Sequence, residues 1–191
     1  MKLYSYVVEH DNGYAPNPYF GVCTLCRCKF EGRRNIVPLA NVGDWVIGTG
    51  GASKRSAGHG KLVYAMRVDE KLTRWEYFID RRFQQKKPAK TGTYEQTRGD
   101  NVSPHGDFEK HKQFALLSRH FYYFGAKAID VPKEFDIEKR GPGFRSHFSP
   151  SDISRFIEWL QTSYTWGKQG EPCYRVSVDR SAGSKRCGSS C

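Results

Sequence analysis

The amino-acid sequence predicts an α+β fold in which short, mostly antiparallel β-strands precede an amphipathic C-terminal helix. The first observation is a pair of apolar segments, residues 45–48 and 61–68, that are rich in β-branched and aromatic residues. Gly and Asp clusters bound them, and a Gly-rich loop joins them, which is typical of a β-hairpin. The second observation is a run of apolar residues at helical spacing after Ser149.

Two further strand regions and one rigid loop are predicted along the chain. Residues 2–8 alternate enough to form a first strand, and residues 114–125 contain one or two more. Residues 10–21 read HDNGYAPNPYFG, which is rich in Asn, Gly and Pro, so we expect a structured loop there. The prolines preset an extended backbone and make this loop a rigid support for its aromatic side chains.

The C-terminal helix has a clear start signal. Ser149 is a favourable N-cap, Pro150 occupies the first helical position, and Asp152 completes a capping box. Apolar residues then recur at helical spacing and predict one buried face: Ile153, Phe156, Ile157 and Leu160. We expect this helix to end between residues 161 and 165.

The length and charge of the chain limit its domain count and its partners. The 191 residues fit one domain, expected at residues 1–170, followed by a basic tail at 171–191 that contains Gly, Ser and Cys and is expected to be flexible. The net charge of +11 favours a polyanionic partner, because each phosphate contact releases counterions. No apolar run is long enough for a transmembrane helix or signal peptide, so we expect a cytoplasmic protein that does not bind membranes.

The six cysteines do not predict a metal site. Cys23, Cys26 and Cys28 form CTLCRC, and the other three lie near the C-terminus. Structural zinc needs four well-placed ligands, and no second Cys-x-x-Cys pair completes the usual spacing, so we expect reduced thiols. The sequence also has no Walker loop, dinucleotide fingerprint, nucleophile elbow or HExxH motif. We therefore predict neither a metal nor a cofactor.

Aromatic side chains interleaved with basic residues indicate a site for a planar, charged ligand such as a nucleotide. Residues 72–82 carry Trp75 among three arginines, and the loop at 10–21 presents further aromatic and amide groups. We expect a pocket whose aromatic walls and polar groups bind a base. The candidate residues are Asp11, Tyr14, Asn17, Phe20, Trp45, Trp75 and Asn101. The alternative is that these aromatic residues pack in the core.

Basic residues near this pocket are candidates for phosphate contacts: Arg33, Arg34, Lys86, Lys87 and Arg145. The two lysines begin a polar stretch, residues 84–106, for which we expect an exposed loop. Arg145 precedes the predicted helix, whose N-terminus presents backbone donors to an anion. A plain capping loop is the alternative interpretation at Arg145.

Three residues are candidates for acid–base catalysis if the protein is an enzyme: Asp11, Asp44 and His120. Asp in a Gly-Asp turn usually caps its own backbone, which is the alternative role of Asp44. Strand alternation places residues 119, 121 and 123 on one face and residues 120, 122 and 124 on the other. We expect one of these faces to belong to the core and the other to reach a ligand.

Several motifs across residues 1–166 carry a family resemblance. They are HDNGYAPNPYFGVCTLCRCK, VGDWVIGTGG, GKLVYAMRVDEKLTRWEYFIDRRFQQKKP, RGDN, SRHFYYFG and GPGFRSHFSPSDISRFIEWL. In this order they resemble the second of the nucleotide-modification-associated domain families, whose members are similar to components of bacterial and phage systems that modify or process DNA bases. The resemblance implies this setting and does not specify a reaction.

A second resemblance is architectural. A Gly-Asp-Trp turn, two strands and an aromatic, basic segment together are similar to the small β-barrels of the PUA, ASCH and EVE type. Such barrels hold an RNA element or a flipped, modified base. The resemblance implies a mostly antiparallel, PUA-like β-barrel with the C-terminal helix packed on it.

From these observations we expect a DNA-binding protein that recognises a modified or flipped base and works with other proteins of a DNA-modification or phage-defence system. Aromatic stacking of about 1–3 kcal/mol per base would offset much of the cost of flipping. One alternative is an enzyme that acts on a DNA base or nucleotide, of the glycosylase or transferase type. Another is an interaction subunit with only salt-sensitive background affinity for DNA.

Overall fold

The computed structural model describes residues 1–26, 35–52, 56–87, 114–139 and 141–173. Within these ranges the strands and α-helices follow in the order β1 (Leu3–Val8), β2 (Cys23–Leu25), α1 (Ile36–Leu39), β3 (Trp45–Gly50), β4 (Leu62–Arg67), β5 (Glu70–Thr73), α2 (Arg74–Ile79), β6 (Phe114–Ser118), β7 (Phe121–Tyr123), β8 (Phe144–Arg145), α3 (Pro150–Ser163) and β9 (Gly167–Lys168). Short 3-10 helices span Arg81–Lys86, Gly125–Lys127 and Lys133–Phe135.

Six strands form an open, mixed sheet in the order β8-β1-β3-β4-β7-β9. The predicted hairpin is confirmed, since β3 and β4 pair antiparallel with Trp45 opposite Arg67. However, β1 pairs with β3 in parallel, because the chain passes through β2 and α1 before it returns to the sheet. The β7–β9 pair is also parallel.

The expected PUA-like barrel is not seen in the described part of the chain. The sheet ends at β8 and β9, which are two residues long and do not pair with each other. Closing a barrel requires the two edge strands to exchange hydrogen bonds along their length. The predicted α+β class with a C-terminal helix is confirmed. In place of the predicted antiparallel barrel, the described residues form an open mixed sheet.

A second, smaller sheet packs against one face of the large one. Its order is β2-β6-β5, with antiparallel pairing throughout. The chain crosses between the two sheets twice at one corner, from β4 to β5 and from β6 to β7. The strand region predicted at residues 114–125 is therefore two strands, one in each sheet.

Both faces of the large sheet are buried. On one face Phe121 and Tyr123 pack in a core that includes Leu116 of the small sheet. On the other face Tyr122 and Phe124 pack in a core that α3 completes. The expectation that one face of this segment reaches a ligand is therefore wrong for residues 121–124, because a layer of protein covers each face.

Helix α3 begins and ends where the sequence predicts, but the predicted capping box is incomplete, because the Asp152 carboxylate accepts from the Ser149 hydroxyl (2.6 Å) instead of from the Ser149 backbone N–H. The Ser149 hydroxyl oxygen accepts a hydrogen bond from the backbone N–H of Asp152 (3.1 Å), and Pro150 is the first helical residue. The helix ends at Ser163, within the predicted interval. Its buried residues are those of the predicted apolar face: Ile153, Phe156, Ile157 and Leu160.

The start of the expected C-terminal tail packs against the domain. The backbone N–H of Ala126 donates to the carbonyl of Glu171 (2.7 Å), and Cys173 contacts Asp11. The other residues of that segment, 174–191, lie outside the described ranges. Among the helices that the structure describes, none is both long enough and apolar enough to cross a lipid bilayer.

Candidate functional site

Lys86 is buried at the centre of the contacts that hold the loop at residues 10–21. Its Nζ donates to Asn17 Oδ1 (2.7 Å) and to the carbonyl oxygens of Asn17 (3.2 Å), Tyr19 (2.9 Å) and Val22 (2.7 Å). The side chain is 1 % exposed, so the expectation of an exposed lysine is wrong. The 3-10 helix Arg81–Lys86 turns this lysine inward, where it joins the loop to the segment after β5 instead of facing a phosphate in solvent.

The residues of this loop differ in their exposure. Asn17 is buried, and its backbone exchanges two hydrogen bonds with Thr24 (2.9 Å each). Its side-chain nitrogen has no hydrogen-bond partner among the residues that the structure describes. Tyr14 is half-buried, whereas Phe20 is exposed at the loop tip in a left-handed backbone conformation (φ 58°).

Asp11 lies in a buried polar cluster with Tyr123 and Cys173. The Tyr123 hydroxyl donates to Asp11 Oδ1 (2.6 Å), and the backbone N–H of Cys173 donates to Oδ2 (3.4 Å). Burial raises the pKa of Asp11, and the hydrogen bonds partly oppose that rise. Burial and the nearby Asp11 charge raise the pKa of Cys173 to about 12, so its thiol stays protonated at neutral pH.

The raised pKa of Asp11 predicts a pH-dependent contribution to stability. The folded protein holds the Asp11 proton to a higher pH than the unfolded chain, so this group lowers the free energy of unfolding as pH rises from about 4 through the folded pKa. Asp11→Asn cannot ionise. We expect the stability of the wild type relative to this variant to fall over that range, as measured by urea denaturation at several pH values. A pH-independent difference would contradict the titration of a buried carboxyl group.

Trp75, Phe78 and Lys87 form a cluster that we call the Trp75 surface, in which the Trp75 indole is exposed, Phe78 is half-buried and Lys87 Nζ is buried. Trp75 is 50 % exposed and stacks on Phe78 with ring centroids 6.1 Å apart and planes 25° apart. Lys87 Nζ lies 4.6 Å from the centroid of the Phe78 ring. A capping box between Thr73 and Glu76 starts α2 and orients these aromatic residues.

Trp45 lies away from this surface. It is buried on the face of the large sheet that α3 covers, where it packs in the same core as Ile157. It also lines an open groove of about 380 Å³ together with Arg67 and Glu158. The predicted base-binding residues therefore do not all line one pocket, because Trp45 and Trp75 belong to different layers of the fold.

Asp44 and Arg145 have structural partners. The Asp44 carboxylate accepts hydrogen bonds from the backbone N–H groups of Lys2 (2.7 Å) and Asn41 (3.0 Å), which confirms the turn-capping alternative. The Arg145 guanidinium donates to the Asp136 carbonyl (2.5 Å) and carboxylate (3.0 Å). The segment before α3 thus resembles a plain capping loop.

The remaining sequence-predicted residues fall into two groups. His120 is exposed at the turn between β6 and β7, where Nδ1 lies 2.9 Å from the Asp69 carboxylate. Asn101, Arg33 and Arg34 lie outside the described residues. In the ranges that the structure covers, no three His, Cys, Asp or Glu side chains group as metal ligands do.

Sequence reasoning missed several partners of these residues. Phe78 stands three positions after Trp75, and helical spacing alone could have paired them. Tyr123 and Cys173 are distant from Asp11 in the chain, so no local pattern relates them. The contact of Asp69 with His120 was not predicted either, because a single aspartate after a strand is common in turns.

Most of the excess positive charge belongs to residues outside the described ranges. The described residues contain 16 of the 31 Lys and Arg residues and 14 of the 20 Asp and Glu residues. The other residues contain 15 Lys and Arg but only 6 Asp and Glu, so they account for nine of the eleven net positive charges. The described surface is nearly balanced in charge, so binding there depends on particular groups more than on a general positive field.

Comparison with protein families identifies the chain. The family model described as nucleotide modification associated domain 2 matches residues 1–113 and 105–180. The chain belongs to this family. The matched regions include the loop at 10–21, the Trp75 surface and both sheets, so the family domain extends over nearly all of the described fold. No curated protein and no solved structure matches the chain. The family description associates the protein with nucleotide modification.

Proposed function

We propose that this protein is the nucleic-acid recognition component of a nucleotide-modification system and that it contacts a modified or flipped base in DNA. The Trp75 surface is the observation that carries this proposal. It offers a half-exposed indole, supported from behind by Phe78, with the Lys87 ammonium beside that pair. Membership of the nucleotide modification associated domain 2 family supports the setting.

The chemistry of this surface suits the stacking of a nucleobase. A base can stack on an indole face whatever its sequence identity, with a gain of about 1–3 kcal/mol. Because Phe78 already holds the Trp75 ring, little side-chain entropy is lost on binding. The Lys87 ammonium is buried against the Phe78 ring, so it adds a positive charge to the surroundings of the stacked pair without contacting the ligand.

The Trp75 surface is physically connected to the loop at residues 10–21. Lys86 holds the loop through its four hydrogen bonds, and the next residue, Lys87, contacts Phe78. The exposed Phe20 belongs to that loop, as does the half-buried Tyr14. We infer that the loop contributes to selecting the base, with Tyr14 and Phe20 as its contacting residues.

The direct test is Trp75→Ala, measured by the fluorescence anisotropy of a labelled single-stranded oligonucleotide at fixed salt. Loss of the stacked base is expected to weaken binding by about 5- to 150-fold, which corresponds to 1–3 kcal/mol. Ile79→Ala is the matched control, since Ile79 is an exposed apolar residue (53 %) on the same helix. Equal affinities for Trp75→Ala and Ile79→Ala would reject the Trp75 surface as the binding site.

Base selectivity needs a second experiment. Binding to a plain and a hypermodified duplex is compared at physiological salt, and the mass of each duplex is read before and after incubation. Preference for the modified duplex without a change in mass is expected for a recognition protein. Equal, salt-sensitive binding to both duplexes would leave only an interaction subunit with background affinity.

A second candidate function is an enzyme that acts on a DNA base or nucleotide. Asp11 favours it, because burial raises the pKa of its carboxyl group, and a raised pKa is what a carboxyl group needs to act as a general acid. A released base or altered mass in the duplex experiment would establish this activity. Asp11→Asn should then abolish turnover while DNA binding persists.

A further inference from the structure

Three adjacent strands bring a cation, an imidazole and an indole together at one end of the large sheet. Arg67 is the last residue of β4, His120 immediately precedes β7, and Trp166 immediately precedes β9. The backbone N–H of Arg67 donates to the carbonyl of His120 (3.0 Å), and Tyr122 pairs with Gly167 in the sheet. The three side chains are thus neighbours, although they are far apart in the sequence.

The His120 ring is held in one orientation by Asp69. The Asp69 carboxylate accepts hydrogen bonds from the backbone N–H groups of Arg119 (2.7 Å) and His120 (3.1 Å). The same carboxylate lies 2.9 Å from Nδ1 of the His120 ring. The Nε2 atom has no hydrogen-bond partner in the part of the chain that the structure describes. The His120 side chain is 50 % exposed, with Nδ1 facing Asp69.

Trp166 presents one face of its indole at the same place. Its ring stacks on buried Tyr122, with centroids 4.8 Å apart and planes 24° apart, and the His120 ring contacts it edge-on at 4.9 Å. Trp166 is nevertheless 44 % exposed. An indole that is held in place by a stacked tyrosine and still nearly half exposed is suited to stacking a planar ligand.

Arg67 completes the cluster with a positive charge. Its side chain is 48 % exposed, and Nε lies 3.9 Å from the Asp69 carboxylate. Arg67 also lines the groove of about 380 Å³ beside Trp45 and α3. Guanidinium groups bind phosphate well because their planar fork of N–H donors matches two phosphate oxygens.

We propose that Arg67, His120 and Trp166 form a second nucleotide-binding site. The base stacks on Trp166, and the phosphate accepts hydrogen bonds from the Arg67 guanidinium and from the Nε2–H of His120 in its imidazolium form, since Nδ1–H donates to Asp69. Asp69 is a positioning residue that fixes the imidazole. This site deepens the proposed function, because its ligand belongs to the same chemical class, but it does not share a residue with the Trp75 surface.

The experiment is a titration of the ¹⁵N-labelled protein with deoxyadenosine monophosphate, followed by NMR. We expect the Trp166 indole N–H and the Gly167 amide to shift. Trp166→Ala should raise the dissociation constant about 5- to 150-fold, the range for loss of one stacked base. Trp166→Phe retains an aromatic face and should recover most of the affinity. Unchanged affinity in Trp166→Ala would overturn the site.

The phosphate contact is tested by comparing deoxyadenosine monophosphate with deoxyadenosine. Arg67→Met and His120→Gln should each reduce the preference for the phosphorylated ligand. Arg155→Met is the matched control, since Arg155 is an exposed arginine on α3 whose ion-pair partner is Asp152. If Arg67→Met behaves like Arg155→Met, the assignment of the phosphate position is wrong.

Two further arms distinguish the source of the nucleotide and separate the two proposals. If an oligodeoxyadenylate of eight nucleotides binds at Trp166 more tightly than the monophosphate, the ligand is a nucleic-acid strand. If the monophosphate binds more tightly, the ligand is a free nucleotide. Either result supports the site. Trp75→Ala should leave the Trp166 shifts intact. Loss of DNA binding in Trp75→Ala together with no ligand-induced shift at Trp166 would reject this site alone.

Discussion

Replacing Lys86 with methionine is expected to lower the free energy of unfolding by about 3 kcal/mol, because buried acceptors lose a charged donor. Lys86 Nζ donates to four oxygen atoms on the loop segment from Asn17 to Val22. Methionine keeps the apolar stem but supplies no hydrogen. Removing the buried charge recovers some desolvation energy, yet the unpaired carbonyl groups outweigh that gain. Urea denaturation followed by circular dichroism measures the change.

Lys87→Met is the matched control for this effect. Lys87 is the next residue, and its ammonium contacts the Phe78 ring without a hydrogen-bond partner among the described residues. Methionine removes this cation–π contact but also removes a buried ammonium group that has no hydrogen-bond partner among those residues, so the loss of stability should be several-fold smaller than for Lys86→Met. Similar losses in the two variants would show that the buried hydrogen bonds of Lys86 are not an important source of stability.

Gly170→Ala is expected to cost about 3 kcal/mol, at the upper end for overpacking. A Cβ at Gly170 would overlap the carbonyl oxygen of Phe124. The Cβ is fixed to the main chain and the Phe124 oxygen belongs to it, so the overlap is relieved only if the whole segment around Gly170 moves away from the end of β7. The backbone N–H groups of Gln169 (2.8 Å) and Gly170 (3.3 Å) donate to the Tyr123 carbonyl, and these bonds would be strained or lost. The loss of stability is measured by urea denaturation.

Gly141→Ala provides the comparison for Gly170→Ala. A Cβ at Gly141 meets no atom of the described residues within 4 Å, but the backbone has φ +71°, so only conformational strain of about 1 kcal/mol is expected. Gly170 is not among the glycines with positive φ, so its effect comes from overlap alone. A loss in Gly170→Ala no larger than in Gly141→Ala would contradict close backbone packing of the C-terminal segment.

Local signals in the sequence predicted much of the fold. The N-cap at Ser149 and the apolar repeat after it were sufficient to place α3, because both act within a few residues. The β3–β4 hairpin was predicted from apolar runs bounded by glycine for the same reason. The parallel β1–β3 pair was missed, since it depends on where the chain returns after β2 and α1.

The candidate sites were predicted only in part. Trp75 was named from its basic surroundings and is exposed on the surface, as a base-stacking residue requires. Lys86 was expected in solvent, yet it is buried, because its acceptors lie 64 to 69 positions earlier in the chain. The Arg67–His120–Trp166 cluster was not predicted as a unit, since sheet register alone makes these residues neighbours.

The sequence by itself determined the α+β class, the hairpin, the capped C-terminal helix and the family, because each depends on short-range patterns or ordered motifs. Only the tertiary structure decided that the sheet stays open, that Lys86 and Asp11 are buried, and which aromatic residues remain exposed. Asp11 shows the reason: its partners Tyr123 and Cys173 lie 112 and 162 positions away. Burial and pKa depend on groups that only folding brings into contact.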